Sequence, residues 1–371
     1  MKKLITAIGL MSGTSSDGID ASIIKSDGED MLNLIGDYFF PYEEKTRFKI
    51  RNLKEKIDKT SDLEVHKAEI IALEKEITLL HLKVINLIIK KLKIEKSEIN
   101  LIGLHGHTIF HNFHSKETKQ LGDGKILSKL LRMNVIYDFR KNDLKNGGQG
   151  APLVPIFHKL LQKKLQLKTP VVFINIGGIS NLTYLDMNNE IISFDSGPGN
   201  FLIDKLMQLK SNNKIQFDKN GKIALKGKVV KNILNNYLDD PYYKSLPPKS
   251  LDVNNFNLSP IKDIGTENAI TTLSELTALT IVNSLNFFSH KPQKIILCGG
   301  GRKNRYIHER INQISNIPTL NIDKYNINGD FIESQAFAYL AIRSLFNKPI
   351  SFPKTTGVLK PTIGGKFIKF I

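Results

Sequence analysis

Small, hydroxyl-bearing and acidic residues that could bind a phosphate follow one another in Gly13-Thr14-Ser15-Ser16-Asp17-Gly18-Ile19-Asp20, between two apolar runs. Backbone N–H groups and hydroxyls in such a turn can hold a polyphosphate, and a carboxylate such as that of Asp17 can bind Mg²⁺ or its waters. The segment therefore predicts a strand, a phosphate-binding turn and a second strand. An ordinary hairpin turn rich in glycine and serine is the alternative.

Two further glycine turns could approach a nucleotide closely. Gly299-Gly300-Gly301 follows an apolar strand, and the helix predicted from about Asn304 would present its free N–H groups to an anion. Gly177-Gly178 follows another apolar run and repeats the layout of the first hairpin. Close packing of a strand on a helix would also explain the triple glycine. Turns of this kind in both halves of the chain favour a nucleotide held between two domains.

Two carboxylates occur where an acid or base could act. Asp195 lies between a predicted strand and the turn Gly197-Pro198-Gly199-Asn200, so it could be a general base at a strand end. It could instead be the acid of an Asx turn that caps Gly197 or Asn200. Glu333, in the first turn of a predicted helix, is either a second site carboxylate or an acid favoured there by the helix dipole. Phosphoryl transfer requires such a base together with a phosphate cradle and a metal.

A further polar set follows the predicted strands at residues 101–104 and 135–137. Its members are His105, His107, Asp138, Arg140 and Asp143. Ligands bind at the carboxyl ends of strands in open α/β sheets, so these residues are candidates for a ligand site. Zinc fits them poorly, because the two histidines are only two positions apart and no cysteine joins them.

The elements that must position these residues alternate between strands and helices. Apolar runs predict strands at residues 4–10, 21–24, 101–104, 135–137, 170–176, 182–185 and 294–297. Helices are predicted at about residues 61–92, where Ser61 and Glu64 form a capping box, from 201, at about 267–288, from 304 and at about 330–345. Residues 208–257 are polar and predict an irregular surface segment. The alternation, with two similar hairpins, predicts a two-domain α/β protein with mixed sheets.

Composition narrows the class of protein. The 371 residues carry a formal net charge of +17, but the lysines are scattered rather than grouped with aromatic residues. A solvated basic surface is therefore favoured over nucleic-acid binding. A single cysteine, Cys298, excludes an internal disulfide and fits a reducing cytoplasm. No apolar run reaches the length of a membrane span, and the start, Met1-Lys2-Lys3-Leu4-Ile5, is interpreted as leading into the first core strand rather than as a signal peptide.

The motifs, taken in order, resemble those of the anhydro-N-acetylmuramic acid kinase family over nearly the whole chain. They lie at residues 9–20, 138–140, 147–155, 175–179, 194–200, 298–301 with Asn304, 333–341 and 355–357. Any one of them could arise by chance, whereas the ordered series is specific to the family.

This resemblance implies the two-domain actin-like (ribonuclease H-like) ATPase fold, with a central interdomain cleft. We expect residues 1–137 plus 346–371 to form domain I and residues 138–345 to form domain II. The nucleotide would contact residues 13–20, Gly177, Gly178, residues 299–301 and Asn304. ATP and Mg²⁺ are the expected cofactors, and the resemblance implies a cytoplasmic homodimer that binds neither nucleic acid nor membrane.

The resemblance also implies an unusual reaction. ATP phosphorylates O6 of 1,6-anhydro-N-acetylmuramic acid while water opens the anhydro bridge at C1, giving N-acetylmuramic acid 6-phosphate and ADP in cell-wall recycling. Asp195 matches the aspartate that activates the water, and Glu333 matches the second carboxylate of the family's cleft.

Two segments depart from the family pattern. His107 replaces the glutamine of His-Gly-Gln-Thr, which puts any sugar contact there in doubt. Lys249-Ser250-Leu251-Asp252-Val253 replaces the common Lys-Ser-Thr-Gly-Arg-Glu and removes an arginine. We expect these changes to shift affinity and to leave the reaction class intact.

Other functions stay open at this point. A kinase of another sugar or small acid could use the same fold without an attack by water. A nucleotide-binding or actin-like assembly protein would need the turns but not Asp195. Nucleic-acid binding driven by charge alone would be weak and sensitive to salt.

Overall fold

Apolar strands and amphipathic helices alternate along the chain in the computed structural model, which describes residues 3–13, 15–252 and 256–370. Thr14 and Val253, both named above, lie outside the described residues. The strands are β1 (Ile5–Ser12), β2 (Gly18–Ser26), β3 (Leu32–Pro41), β4 (Leu101–Asn112), β5 (Glu117–Leu121), β6 (Val135–Tyr137), β7 (Val171–Ile176), β8 (Ser180–Leu185), β9 (Ile191–Gly197), β10 (Lys294–Cys298), β11 (Thr319–Asn321) and β12 (Lys366–Ile368). The helices are α1 (Glu44–Glu55), α2 (Thr60–Val65), α3 (Lys67–Leu92), α4 (Gly124–Leu131), α5 (Lys141–Lys145), α6 (Pro155–Lys164), α7 (Phe201–Lys210), α8 (Lys231–Leu238), α9 (Thr266–Ser284), α10 (Arg305–Ser315), α11 (Ile332–Leu345) and α12 (Pro353–Thr356).

The chain forms two units, and the first consists of Met1–Lys164 and Phe331–Ile371. Its sheet has the strand order β12-β6-β4-β1-β2-β3, with β5 paired to β4 outside this path. β1 pairs parallel with β4 and antiparallel with β2. Every residue of β1 is buried, which explains why its sequence is a continuous apolar run rather than an alternating one.

The second unit, Leu165–Asp330, repeats this arrangement. Its sheet has the order β11-β10-β7-β8-β9, with β7 parallel to β10 and antiparallel to β8. Counted within each unit, the first strand lies at the centre, between the antiparallel second strand and the parallel fourth strand. The shared order confirms the predicted repeat and the mixed sheets of a ribonuclease H-like fold.

The boundary between the units differs from the predicted one, because residues 138–164 and 331–345 belong to the first unit. Helix α11 packs directly on β1 and β4. A Cβ atom on Gly9 would lie 1.9 Å from the Ser334 carbonyl oxygen, and one on Gly103 would lie 2.4 Å from that of Phe337. These glycines let the helix backbone touch the sheet, and they tie Glu333 to the first unit.

Two elements differ from their sequence predictions. The helix expected from Ser61 is interrupted at His66, which separates α2 from α3. The acid that caps the start of α2 is Asp62 rather than Glu64, because Asp62 accepts from the Lys59 backbone N–H at 3.0 Å. The segment predicted to be irregular, residues 208–257, contains α8, which buries Leu234. No helix in the described ranges is long and apolar enough to cross a membrane.

Candidate functional site

The described part of the first turn, Gly13 with residues 15–18, is closed by short hydrogen bonds. The Ser16 backbone N–H donates to the Gly13 carbonyl oxygen at 3.1 Å, and the Ser15 hydroxyl donates to Asp17 Oδ1 at 2.7 Å. Ser15 and Asp17 are exposed, whereas Ser16 is buried. The turn therefore presents a hydroxyl and a carboxylate to solvent and directs Ser16 into the unit.

His105 and His107, predicted to belong to one polar set, lie on opposite faces of the sheet. The His105 ring stacks near Phe337 of α11, with the ring centroids 4.3 Å apart. His107 lies beside Ser12, on the face that α1 and α3 cover. The alternation of side chains is broken because the β1–β4 register shifts at Leu10 and Met11, and because Gly106 has a φ of +79°.

Arg140 and Asp143 brace the segment 147–150 and do not form an open ligand set. Arg140 donates to His105 Nε2 at 3.0 Å and to the Gly150 carbonyl oxygen at 2.7 Å. Asp143 is buried and accepts from the Gly150 backbone N–H at 2.6 Å and from the Thr356 hydroxyl at 2.6 Å. Asp138 is separate from this group and pairs with Lys141 at 3.2 Å.

Glu333 occupies the first turn of α11, and Asp20 lies on the sheet face that this helix covers. Ser22, two residues along β2 from Asp20, is 2.6 Å from the hydroxyl of Ser334. Side chains two positions apart in a strand point to the same face, so Asp20 shares that face with Ser22. The first unit thus places both carboxylates beside the contact between α11 and the sheet.

Asp195 is held from several directions in the second unit. Its backbone N–H donates to the Lys249 carbonyl oxygen at 3.1 Å, and its own carbonyl oxygen accepts from the Tyr242 hydroxyl at 2.7 Å. The Leu251 backbone N–H donates to Asp195 Oδ2 at 2.8 Å. The side chain is 8% exposed. The Asp195 backbone at the end of β9 is therefore fixed by Lys249 and Tyr242, and its carboxylate is oriented by the Leu251 backbone N–H.

Lys249 anchors this segment among aromatic rings. Its ammonium lies 4.5 Å from the ring centroid of Phe287 and 4.6 Å from that of Tyr242, and it donates to the Tyr242 carbonyl oxygen at 2.9 Å. Burial lowers the pKa of Lys249 to about 8. The contact to the Asp195 carboxylate comes from the backbone of Leu251, which many residue types could supply. The departure from the family pattern at this position therefore keeps the hold on Asp195.

Asn175 and Asn181 are candidate site residues that the sequence reasoning did not select. Asn175 pairs in register with Asn181, and Asn181 pairs with Asp195. Residues in direct register point to the same face of a sheet, so the three polar side chains form one row across β7, β8 and β9. The available signal was an amide that interrupts each of two apolar strands.

The turns at Gly177-Gly178 and at residues 197–200 are joined to each other. The backbone N–H groups of Asn200 and Phe201 donate to the carbonyl oxygens of Gly177 and Gly178 at 2.8 and 3.0 Å. Gly199 has a φ of +48°, and a Cβ atom there would lie 2.4 Å from the Gly177 oxygen. The two turns therefore form one rigid end of the sheet beside Asp195.

The triple glycine divides into structural and open positions. A Cβ atom on Gly299 would lie 2.4 Å from Asn175 Oδ1, and one on Gly301 would lie 2.2 Å from the Ile176 side chain. On Gly300 a Cβ atom would meet no atom of the described residues within 4 Å. Packing thus explains two of the three glycines, and the open space at Gly300 is what close approach of a ligand would need.

The space available for a Cβ atom also distinguishes Gly13 from Gly18. A Cβ atom on Gly13 would come no closer than 3.8 Å to a described atom, whereas one on Gly18 would lie 2.3 Å from the Phe40 carbonyl oxygen. Asn304, predicted to contact the nucleotide, is 5% exposed, and its side-chain oxygen caps α10 by accepting from the Ile307 backbone N–H at 3.2 Å.

Arg302 supports the triple glycine and was also missed from the sequence. It donates to the Gly299 carbonyl oxygen at 2.8 Å and pairs with Asp323 and Asp330 at 2.5 and 2.6 Å. These hydrogen bonds hold the pKa of Asp323 below its usual value. A single buried guanidinium therefore fixes the turn to the segment that follows β11.

The fold and the site define the chain as a two-unit protein of the actin-like class, and comparisons with known proteins specify the family. The family model for anhydro-N-acetylmuramic acid kinase matches residues 5–369. An anhydro-N-acetylmuramic acid kinase of Pelagibacter ubique (strain HTCC1062) is 46% identical over 378 residues, with 100% of each chain covered. One of Zymomonas mobilis is 36% identical, with 97% of this chain and 98% of the relative covered.

The solved structure of component A of Acidaminococcus fermentans (R)-2-hydroxyglutaryl-CoA dehydratase is 10% identical, covers 91% of this chain and 98% of its own, and gives a TM-score of 0.46. The sequence matches therefore decide the family. The chain belongs to the anhydro-N-acetylmuramic acid kinase family.

Proposed function

We propose that the protein uses ATP to phosphorylate O6 of 1,6-anhydro-N-acetylmuramic acid while water opens the anhydro bridge at C1. The products are N-acetylmuramic acid 6-phosphate and ADP, a step in peptidoglycan recycling and amino-sugar catabolism. The observation that carries the proposal is the family match over residues 5–369. From the resemblance described for the sequence, we propose Asp195 as the aspartate that activates the water.

In this proposal the Asp195 carboxylate takes a proton from water as the water oxygen attacks C1. The C1–O bond of the bridge breaks, and the bridge oxygen, still attached to C6, accepts the γ-phosphoryl group of ATP. ADP leaves with the electron pair of the broken P–O bond. One base acting on water thus serves both hydrolysis and phosphoryl transfer. The fixed position of Asp195 at the end of β9 supports this role, because a general base must be held within reach of its proton.

We assign the phosphates of ATP to the turns with open backbone. Gly13, Ser15 and Gly300 have the space or exposure that a polyphosphate needs. The complete proposed set also includes Thr14, Ser16, Asp17, Gly18, Ile19, Asp20, Gly177, Gly178, Gly299, Gly301 and Asn304. Within it, Gly18, Gly299, Gly301 and Asn304 support the turns through packing and capping. Glu333 is proposed as the second carboxylate.

Mg²⁺ would neutralise charge on the phosphates that are transferred. It takes one or two carboxylates together with phosphate oxygens and waters, so it needs no cage built from protein alone. Within the described ranges no group of three or more His, Cys, Asp or Glu residues could hold a metal. The exposed carboxylate of Asp17, in the proposed phosphate turn, fits the remaining requirement, and we propose it as the protein ligand. A homodimer in the cytoplasm is likewise proposed from the family resemblance.

Incubation with ATP, Mg²⁺ and 1,6-anhydro-N-acetylmuramic acid, followed by mass spectrometry of the sugar, tests the function. We expect N-acetylmuramic acid 6-phosphate, and we expect Asp195→Asn to lower kcat by about 10²- to 10⁴-fold, the usual contribution of a general base. The proposal would be contradicted if the protein phosphorylated another sugar and did not phosphorylate 1,6-anhydro-N-acetylmuramic acid. Full turnover by the Asp195→Asn protein would contradict the assigned base.

A further inference from the structure

The hydrogen bonds beneath the first turn converge on His107. We propose that His107 is a positioning residue, which holds the first turn in its phosphate-binding conformation through Ser12 and Ser16. This inference rests on the proposed function, in which that turn binds the phosphates of ATP.

Four segments of the first unit meet at this point. Ser12 ends β1, His107 lies in β4, Tyr42 follows β3, and Ser16 lies in the turn itself. His107 Nδ1 is 2.9 Å from Ser12 Oγ, and Nε2 is 3.4 Å from Ser16 Oγ. The Tyr42 hydroxyl donates to Ser12 Oγ at 3.1 Å. Ser12 and His107 are partners in the β1–β4 register, so the sheet itself sets the distance between them.

The donors and acceptors around the imidazole agree with one of its two neutral tautomers. Burial raises the pKa of Tyr42, so its phenol stays protonated and remains a donor. Ser12 Oγ accepts from Tyr42, and its own proton can go to His107 Nδ1, so we assign the ring proton to Nε2. Nε2–H is thereby directed at Ser16 Oγ. Burial lowers the pKa of His107 to about 3, which keeps the ring neutral at physiological pH.

The backbone of Ser16 needs this support. Its φ is +54°, in the left-handed region that residues other than glycine rarely adopt. A hydrogen bond from a rigid ring to the side chain of the same residue offsets the cost of that conformation. Ser16 is 3% exposed and Ser12 is 2% exposed, so the network is closed to bulk water. The polar side chains beneath the turn are therefore hydrogen-bonded to one another and held in place by the sheet.

This placement gives His107 a role other than contact with the sugar. The imidazole is 0% exposed, so it faces the turn from beneath rather than the surface. In this role the imidazole supplies one hydrogen-bond acceptor and one donor on a short, rigid side chain. A glutamine offers the same pair of groups on a chain of similar length, whereas a leucine fills the space with neither.

The test compares His107→Leu with His107→Gln. Removing a buried hydrogen-bond partner costs enough to change a binding constant about tenfold. We expect His107→Leu to raise the Kd for ATP by about tenfold or more, measured by calorimetry, and to leave the KM for the anhydro-sugar within about twofold. His107→Gln should restore ATP binding to within about threefold of the original protein.

His81→Leu is the matched control, because His81 is also fully buried in the first unit but bonds to the Ile77 carbonyl oxygen of α3. It should lower Tm and leave the Kd for ATP within about twofold. Should His107→Leu fail to fold, Ser12→Ala removes the same link and should weaken ATP binding by about threefold or more.

Two results would overturn the inference: ATP binding that is unchanged in a folded His107→Leu or Ser12→Ala protein, or a His107→Gln protein as impaired as His107→Leu. Normal ATP binding with a different sugar product would refute the proposed substrate and leave the role of His107 intact. An original protein that binds no ATP would overturn both.

Discussion

Asp195 depends on residues that are distant in sequence. Tyr242 and Leu251, which bond to it, are 47 and 56 positions away. The local motif was enough to select Asp195, since an acid between a strand and a glycine turn is a recognisable pattern. Its partners could not be predicted. The Leu251 backbone N–H could belong to any residue type other than proline, and the Tyr242 hydroxyl comes from a position whose distance along the chain gives no sign of the contact.

Tyr242→Phe should lower kcat by about two- to tenfold, which corresponds to the loss of one hydrogen bond that orients the Asp195 backbone. The KM for ATP should stay within about twofold, because the Tyr242 hydroxyl positions Asp195, the proposed base, and not the turns proposed to bind phosphate. Steady-state kinetics measures both constants.

Tyr243→Phe provides the control, since it removes a neighbouring phenol of the same segment and should leave kcat within about twofold. Equal losses in the two variants would show that the segment acts only through general packing, and the assigned role of the Tyr242 hydroxyl would be wrong.

The strand–turn–helix around the triple glycine shows how one element combines packing with a site. Gly299 has a φ of +74° and no room for a Cβ atom, whereas Gly300 has open space. A sequence of three glycines cannot distinguish these demands. The backbone conformation and the neighbouring Asn175 make the distinction.

We expect Gly299→Ala to lower the free energy of unfolding by about 2–4 kcal/mol. The new Cβ atom would collide with the Asn175 side chain, and the backbone at position 299 has a positive φ that alanine rarely adopts. Gly300→Ala should change it by less than about 0.5 kcal/mol. Gly300→Ala should nevertheless weaken ATP binding, because the added methyl occupies the proposed ligand space. Urea unfolding and calorimetry measure the two effects.

If Gly300→Ala bound ATP as tightly as the original protein, the triple glycine would serve packing alone. Close packing of the strand on the helix would then be the correct explanation of this turn.

Elements with a strong local signal were predicted well, and interruptions were not. The continuous apolar runs of β1 and β7 identify central strands, because a strand buried on both faces has no alternation. The break at His66 interrupts a run whose residue types predict a continuous helix. The bulge beside Gly106 arises in the pairing of β4 with β1, which the sequence of one strand does not specify. The bulge determines which face of the sheet carries each histidine, and it therefore separates His105 from His107.

The sheets of the two units share one order of strands. Most of the buried histidines lie in the first unit. Burial lowers the pKa of His81 to about 4 and those of His107 and His158 to about 3, and it lowers the pKa of His105 well below the usual value. In the unfolded chain these rings titrate near pH 6.5. The unfolded state therefore binds more protons below that pH, and stability falls as the solution is acidified.

We expect the free energy of unfolding to decrease as the pH falls from about 6.5 to 5, with a slope for each buried histidine that rises toward a limit of about 1.4 kcal/mol per pH unit. Asp204 opposes this trend, because burial raises its pKa to about 7 and the folded state then binds a proton there. The pKa of Asp37 is also raised by burial, and it acts in the same opposing direction. The histidines outnumber these carboxyls, so the net slope should keep its sign.

Urea unfolding at several pH values measures this slope, and His81→Leu should reduce it by the share of one histidine. Stability that is constant or increases between pH 6.5 and 5 would show that the rings are not buried in the neutral form.

The central claim is that one base directs water to C1 while the bridge oxygen accepts the phosphoryl group. Turnover of ATP and 1,6-anhydro-N-acetylmuramic acid in ¹⁸O-water, followed by mass spectrometry of the sugar phosphate, tests it most directly. We predict one ¹⁸O atom at C1 and none in the phosphoryl group. A phosphorylated sugar without the label at C1 would contradict the account.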